Sequence, residues 1–253
     1  MEKKVVYLRF FGELNQFFEK ENQRVRTIKY KDRQTIKDIL EGIGVPHTEV
    51  YFLLKENQPI SFNYLVENGD FISVYPIFRK INIESSQETL RKKFPYQIKF
   101  IADAHLGKLV NYLRILGFDT LYYNDYGDQF LAEKSAEENR ILLTKDHGLL
   151  MRKKVKYGYY IRNDNPKKQL SEVIHRYDLK DYINKSSRCP KCNHLLESVS
   201  KEKIIERLEP KTKKYYNEFY ICTNCDQIYW KGSHFEKIEK LINDIEDEVN
   251  NGL

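Results

Sequence analysis

No apolar run in this chain approaches the ~20 residues a helix needs to cross a bilayer, so a helical membrane span is excluded and no membrane partner is expected. No secretory signal is expected either. MEKKVVYLRFFGEL has only a short apolar stretch, already broken by Arg9, and no small-residue cleavage site. A cytoplasmic protein is the expectation. Charge of one sign is in modest surplus: +6 overall, pI near 8.9, compatible with a polyanionic partner without demanding one. Cysteine is scarce, with four in 253 residues. What is present reads as globular, 41% hydrophobic and 32% charged, and long enough for two or three small domains. Nineteen tyrosines and fourteen phenylalanines are the other surplus. Aromatics interleaved with Lys and Arg can stack on bases, although most of these fall in strand and core patterns.

Residues 1–80 read as one unit. VVYLRF (5–10), RVRTIKY (24–30), YFLLKEN (51–57) and FISVYP (71–76) are strand-like, and ELNQFFEK between the first two is a short helical stretch. TIKDILEGIG (35–44) carries Ile36, Ile39, Leu40 and Ile43 at helical spacing and ends in a capping glycine. A small mixed α+β fold is expected. Residues 81–96 lose the pattern and read as a linker. Over 97–184 strands alternate with helices: IKFIA (98–102), a helix at 104–116, DTLYY (119–123), a helix at 129–139, ILLT (141–144), YYIR (159–162) and a helix at 167–177. Such alternation calls for a parallel sheet flanked by helices, an α/β fold. Residues 185–253 hold paired cysteines around a basic, aromatic insert, expected as a hairpin, and a closing charged helix at 234–249.

In open parallel sheets, sites gather at the carboxyl ends of strands. Asp103 follows IKFIA, Asp128 lies beyond DTLYY, and Asp146 follows ILLT. If those strands are neighbours the three carboxylates converge, and their repulsion calls for a cation. An all-oxygen site suits Mg²⁺ or Mn²⁺, ions suited to phosphodiester hydrolysis. Each acid also has a plainer reading: Asp103 and Asp128 as helix N-caps, Asp146 as a turn initiator. Glu133, Asp125 and Asp164 are weaker candidates. Lys108 and Arg114, on the polar side of the helix at 104–116, and Lys145 beside Asp146 are candidates for phosphate contact or simply surface cations. His105 and His147 flank two of the acids.

The cysteines form Cys189-x₂-Cys192 and Cys222-x₂-Cys225, two knuckles with the spacing of a closed structural zinc site. Between them, Lys211, Lys213 and Lys214 adjoin Tyr215 and Tyr216, a mixture suited to single-stranded RNA or to a self-packed ribbon.

FIADAHLGKLVNYLRILGFDT (100–120) and RILLTKDHGLL (140–150), with the closing IYWKGSHFEKI (228–238), resemble the Mut-seven C-terminal ribonuclease family (Mut7-C). This is a branch of the PIN-like nuclease superfamily, and the likeness runs from about Ile98 to the last helix. It implies a PIN-like domain with a zinc ribbon, metal-assisted hydrolysis of single-stranded or structured RNA, and the family's acids at Asp103, Asp128 and Asp146. LVNYLR departs from the usual family pattern without losing an acid. VYLRFFGELN (6–15) with ENGDFISVYP (67–76) resembles the ubiquitin-like β-grasp sulfur carriers. Their reactive Gly-Gly tail is replaced here by Tyr75-Pro76-Ile77-Phe78, so a docking module for a protein partner is expected and sulfur transfer is not. The competing reading of the whole is a non-catalytic RNA-binding or adaptor protein.

Overall fold

A computed structural model describes residues 4–18, 25–77, 97–184, 187–232 and 240. The expected linker at 81–96 and the closing helix at 234–249, apart from residue 240, lie outside the described residues.

The N-terminal elements are β1 (Lys4–Phe10), β2 (Val25–Tyr30), α1 (Ile36–Gly42), β3 (Phe52–Lys55), β4 (Gln58–Pro59) and β5 (Phe71–Tyr75). The sheet order is β2-β1-β5-β3-β4, with β1 and β5 parallel and the other pairs antiparallel. This is a β-grasp arrangement, as expected. Its helix starts with a reciprocal cap in which Thr35 and Asp38 satisfy each other's backbone N–H groups. Just past its C-cap at Ile43, Gly44 closes the turn with a φ of +89°. Ile36, Ile39 and Leu40 meet Leu8, Ile72 and Val74 in the core. The stretch ELNQFFEK is a 3₁₀ turn, Gly12–Phe17, where described.

The chain continues with β6 (Lys99–Ala102), a 3₁₀ turn (Ala104–Leu106), α2 (Gly107–Ile115), β7 (Asp119–Tyr122), α3 (Asp128–Glu137) and β8 (Ile141–Thr144). Then come α4 (His147–Leu150), β9 (Gly158–Tyr160) and α5 (Pro166–Tyr177). Two compact units cut across this order: Met1–Asp103 with Asp125–Ile161, and Ala104–Asn124 with Arg162–Leu253.

In the first unit β6, β8 and β9 lie parallel, with Ile101 opposite Leu142 and Leu143 opposite Tyr159. All four residues of β8 are buried, the mark of a strand covered on both faces. Gly158 suits the close packing there, because a Cβ would stand 2.5 Å from Leu150 Cδ2 and 3.3 Å from the Leu142 carbonyl and the neighbours would have to shift. The β-grasp lobe shares this unit, and its loop between α1 and β3 reaches β9. The fully buried Glu49 accepts the Tyr160 N–H at 2.6 Å, and His47 joins Glu41 at 2.6 Å and the Val155 carbonyl at 2.9 Å.

In the second unit α2 packs on β7 and α5. Asn165 caps α5 by accepting from Lys167 and Lys168, and Pro166 occupies the first helical position. The last elements are β10 (Glu197–Val199), α6 (Lys201–Ile204), α7 (Pro210–Tyr215), β11 (Phe219–Ile221) and β12 (Ile228–Trp230), with sheet order β10-β11-β12. The expected hairpin over 201–221 is therefore corrected: the segment is largely helical as far as Tyr215. Ile204, Leu208 and Thr212 are buried there, but the backbone is extended at Leu208 and Glu209, so the helical pieces are too short to show a period in the sequence.

Candidate active site and metal centre

Strand β6 ends and delivers Asp103; β8, its parallel neighbour, ends and delivers Asp146 two residues later. Asp103 is still on the ladder, since its N–H donates to the Leu143 carbonyl at 3.0 Å. Thr144, fully buried at the last position of β8, connects the two acids. Its hydroxyl donates to Asp103 Oδ2 at 2.8 Å and accepts the Asp146 N–H at 3.0 Å. Donor and acceptor roles thus run in one direction, Asp146 N–H to Thr144 O–H to Asp103 carboxylate, and each bond polarises the next. The Asp146 carboxylate caps α4: Oδ1 accepts from the N–H groups of Gly148 at 2.7 Å and Leu149 at 3.3 Å. The cap fixes the side chain, while Oδ2 makes no hydrogen bond among the described residues and the residue is exposed. Thr144 was missed in the sequence reading; the signal was a Thr two places before the Asp, on the same strand end.

Asp128 is the first residue of α3, whose N-cap is Gly127, and its Oδ2 pairs with Arg152 at 3.1 Å. Both side chains are nearly half exposed, so this pair contributes at most about 1 kcal/mol. Glu133 is held by Lys154 at 2.7 Å, and Asp125 is exposed. Among the described residues, the group of three or more His, Cys, Asp or Glu ligand atoms within 4.8 Å of one another is the four cysteines; the aspartates are not gathered to that spacing. His147 lies with its ring 4.0 Å from Tyr160 and 5.1 Å from Phe17, packed in an aromatic cluster.

Arg114 is corrected. It is not on the polar face of α2 but buried, 5% exposed, with Nε donating to the Thr120 carbonyl and Nη1 to those of Pro190 and Lys191. Its donors hold the first knuckle against α2 and β7. Lys108 is exposed on α2, and Lys145 is partly buried beside Asp146. Lys211 and Lys214 are exposed on α7, with Lys213 half-buried between them.

The cysteines are brought together. Cys189 Sγ lies 3.5 Å from Cys225 Sγ and Cys192 Sγ 3.4 Å from Cys222 Sγ, and all four sulfurs lie within 4.8 Å of one another. Zn–S bonds of about 2.3 Å in a tetrahedron put sulfurs about 3.8 Å apart, so the donor set fits zinc. No disulfide joins these thiols. Each knuckle turns through a left-handed residue after its second cysteine, Asn193 (φ 69°) and Asp226 (φ 56°). Asn193 also docks the knuckle, accepting the Thr120 N–H at 3.0 Å and donating to Asp119 at 2.8 Å. The set titrates unevenly. Burial pushes Cys222 and Cys225 up, the latter to about 12. Burial raises Cys192 as well, but hydrogen bonds from His194 N–H and Asn224 outweigh it and bring the thiol to about 6. Tyr229 sits 3.1 Å from Cys189 Sγ; burial and that sulfur push its hydroxyl up, so it stays protonated and can donate to a thiolate. Ser233 and His234 of the closing signature lie outside the described residues.

Two family models match this chain. One, described as the Mut7-C RNAse domain, covers residues 98–242; the other, described as Mut7-C ubiquitin, covers residues 3–82. No curated protein matches it.

Proposed function

The chain belongs to the Mut7-C RNase domain family, and we propose that it is a ribonuclease hydrolysing phosphodiester bonds at the paired strand ends of Asp103 and Asp146. The observation that carries this reading is the Thr144 hydroxyl, which ties one carboxylate to the backbone of the other. Two acids on neighbouring parallel strands, one oriented by a buried hydroxyl and one by a helix cap, form an oxygen-donor set suited to Mg²⁺ or Mn²⁺. Asp103 and Asp146 would hold the ion, with Asp128 completing the set by giving up its weak exposed pair with Arg152. When bound, such an ion supplies Lewis-acid stabilisation of charge on the phosphoryl group and makes a water more acidic. The chain's own contribution is orientation. Thr144 donates to Asp103 Oδ2 and so sets that carboxylate's orientation; the α4 N–H groups fix Asp146 through its Oδ1. Lys145 and the lysines of α7 offer phosphate contacts. The zinc ribbon holds α7 in place, and the β-grasp lobe serves recognition.

Labelled RNA incubated with Mg²⁺ or Mn²⁺ tests this. Wild type should cut, and Asp103→Asn and Asp146→Asn should each lose on the order of 10²-fold or more in rate. Asn caps a helix as well as Asp does, so Asp146→Asn should keep its melting temperature while Asp146→Ala loses about 1 kcal/mol of stability. Wild-type protein that binds RNA but never cuts it in either metal would leave the binding-module reading in its place.

A further inference from the structure

Within the unit formed by Ala104–Asn124 and Arg162–Leu253 lies a cleft of about 900 Å³, at the upper end of the size range for ligand pockets and far larger than a lone anion requires. Its cations are Lys108 on α2 and Lys191 in the first zinc knuckle, both exposed. Neither pairs with a carboxylate among the described residues. Arg114, buried in the same wall, turns its Nε and Nη1 to backbone carbonyls, so its charge adds to theirs. Asp164 is the single acid in the lining. The balance selects an anionic ligand.

The rest of the wall says which anion. Asn111, Asn124 and Gln227 present carboxamides, groups that both donate and accept as base edges do. The Asn124 carboxamide stands 2.7 Å from the Tyr122 hydroxyl, which holds it in the cleft wall. Tyr122 and Tyr229 are anchored by their hydroxyls, to the Ala104 carbonyl at 2.6 Å and to Cys189 Sγ at 3.1 Å, so their rings are held as fixed surfaces. Amides and flat rings can reach only bases that are unpaired and unstacked.

We infer that this cleft is a track for single-stranded RNA, with phosphates on Lys108 and Lys191 and splayed bases against the carboxamides and tyrosines. The choice of RNA rests on the ribonuclease reading; the choice of a single strand rests on the cleft.

Fluorescence anisotropy of a labelled, roughly ten-nucleotide RNA in buffer free of Mg²⁺ and Mn²⁺ measures binding without cleavage. Zinc-loaded wild type should bind the single strand at least about tenfold more tightly than a duplex of equal length. Lys108→Ala combined with Lys191→Ala should weaken binding at least about tenfold and shallow the salt dependence by about 1.4 in log–log slope, two phosphates' worth. The double Lys→Arg variant should restore the slope. Unchanged zinc content and melting temperature exclude misfolding, and Gln227→Ala with Asn111→Ala provides a second, neutral pair expected to weaken binding with the slope unaltered. The inference is overturned if both double-alanine variants bind within twofold of wild type, if duplex binds equally well, or if an acidic peptide competes as effectively as RNA. Wild type that binds this way but never cuts in Mn²⁺ overturns the ribonuclease reading alone. Cutting that persists while the lysine variant binds normally overturns the track alone.

Discussion

Thr144 is fully buried, yet its hydroxyl touches both acidic strand ends. Replacing it with valine keeps the volume and removes one donor and one acceptor at once. The Asp146 N–H loses its acceptor, at a cost of about 1–3 kcal/mol, and Asp103 loses the bond that sets its rotamer. Thr144→Val should therefore reduce cleavage about 10–100-fold, the range seen when groups orienting a metal ligand are removed. Thr144→Ser should keep most activity, because the hydroxyl remains. Rates on labelled RNA and urea unfolding midpoints of the two variants check this. A valine variant as active as wild type would mean that the strand ends alone position the acids.

At the scale of elements, the three-stranded ribbon of β10, β11 and β12 has a small core, with Ile204, Leu208 and Phe219 as its buried apolar members, and needs a further constraint. Zinc held by the four thiols would supply that constraint. Chelation of zinc should abolish cooperative unfolding of the ribbon and lower the melting temperature, with re-addition of Zn²⁺ restoring both; calorimetry with metal analysis reads this. The β-grasp lobe carries a different fastening. Asp70 joins Lys55 at 2.8 Å, the Glu67 N–H at 2.8 Å and the Tyr64 hydroxyl at 2.9 Å. Burial would raise its carboxyl, but these three partners outweigh that and hold it below the usual carboxylate range. The sign follows from the depressed folded value. The stabilisation is fully present above the ordinary carboxylate pKa and is lost as pH falls through the folded one. Acid titration of stability should show this loss at the low-pH limb for wild type and not for Asp70→Asn.

At the scale of the whole molecule, the β-grasp lobe is not merely tethered to the parallel sheet. Glu49 satisfies a backbone N–H of β9, and Phe17 lies against His147, the first residue of the helix that Asp146 caps. Glu49→Ala should cost about 1–3 kcal/mol by leaving the Tyr160 N–H buried without that acceptor, whereas Glu49→Gln keeps an acceptor oxygen and should cost less. Hydrogen exchange at Tyr160 distinguishes the two. Equal exchange in wild type and Glu49→Ala would show that the lobe does not protect this strand.

The order of strands and helices, the cysteine spacing and the positions of Asp103 and Asp146 at strand ends were legible in the chain alone, because each is local: a hydrophobic period, a two-residue gap, an acid after an apolar run. The helices within 201–215 were local but not legible, because short pieces separated by extended backbone at Leu208 and Glu209 carry no full hydrophobic period. Other features were beyond any reading of neighbours. Arg114 and Lys108 sit six residues apart on one helix and look alike in sequence, yet one is buried against carbonyls of residues 120, 190 and 191 and the other is exposed. Likewise the Thr144–Asp103 bond spans 41 positions and the Glu49–Tyr160 bond 111. Periodicity says which face of an element is apolar, and so the sequence determined the elements and their chemistry. Which polar group each buried donor finds depends on what folding brings alongside it, and that only the tertiary structure decided.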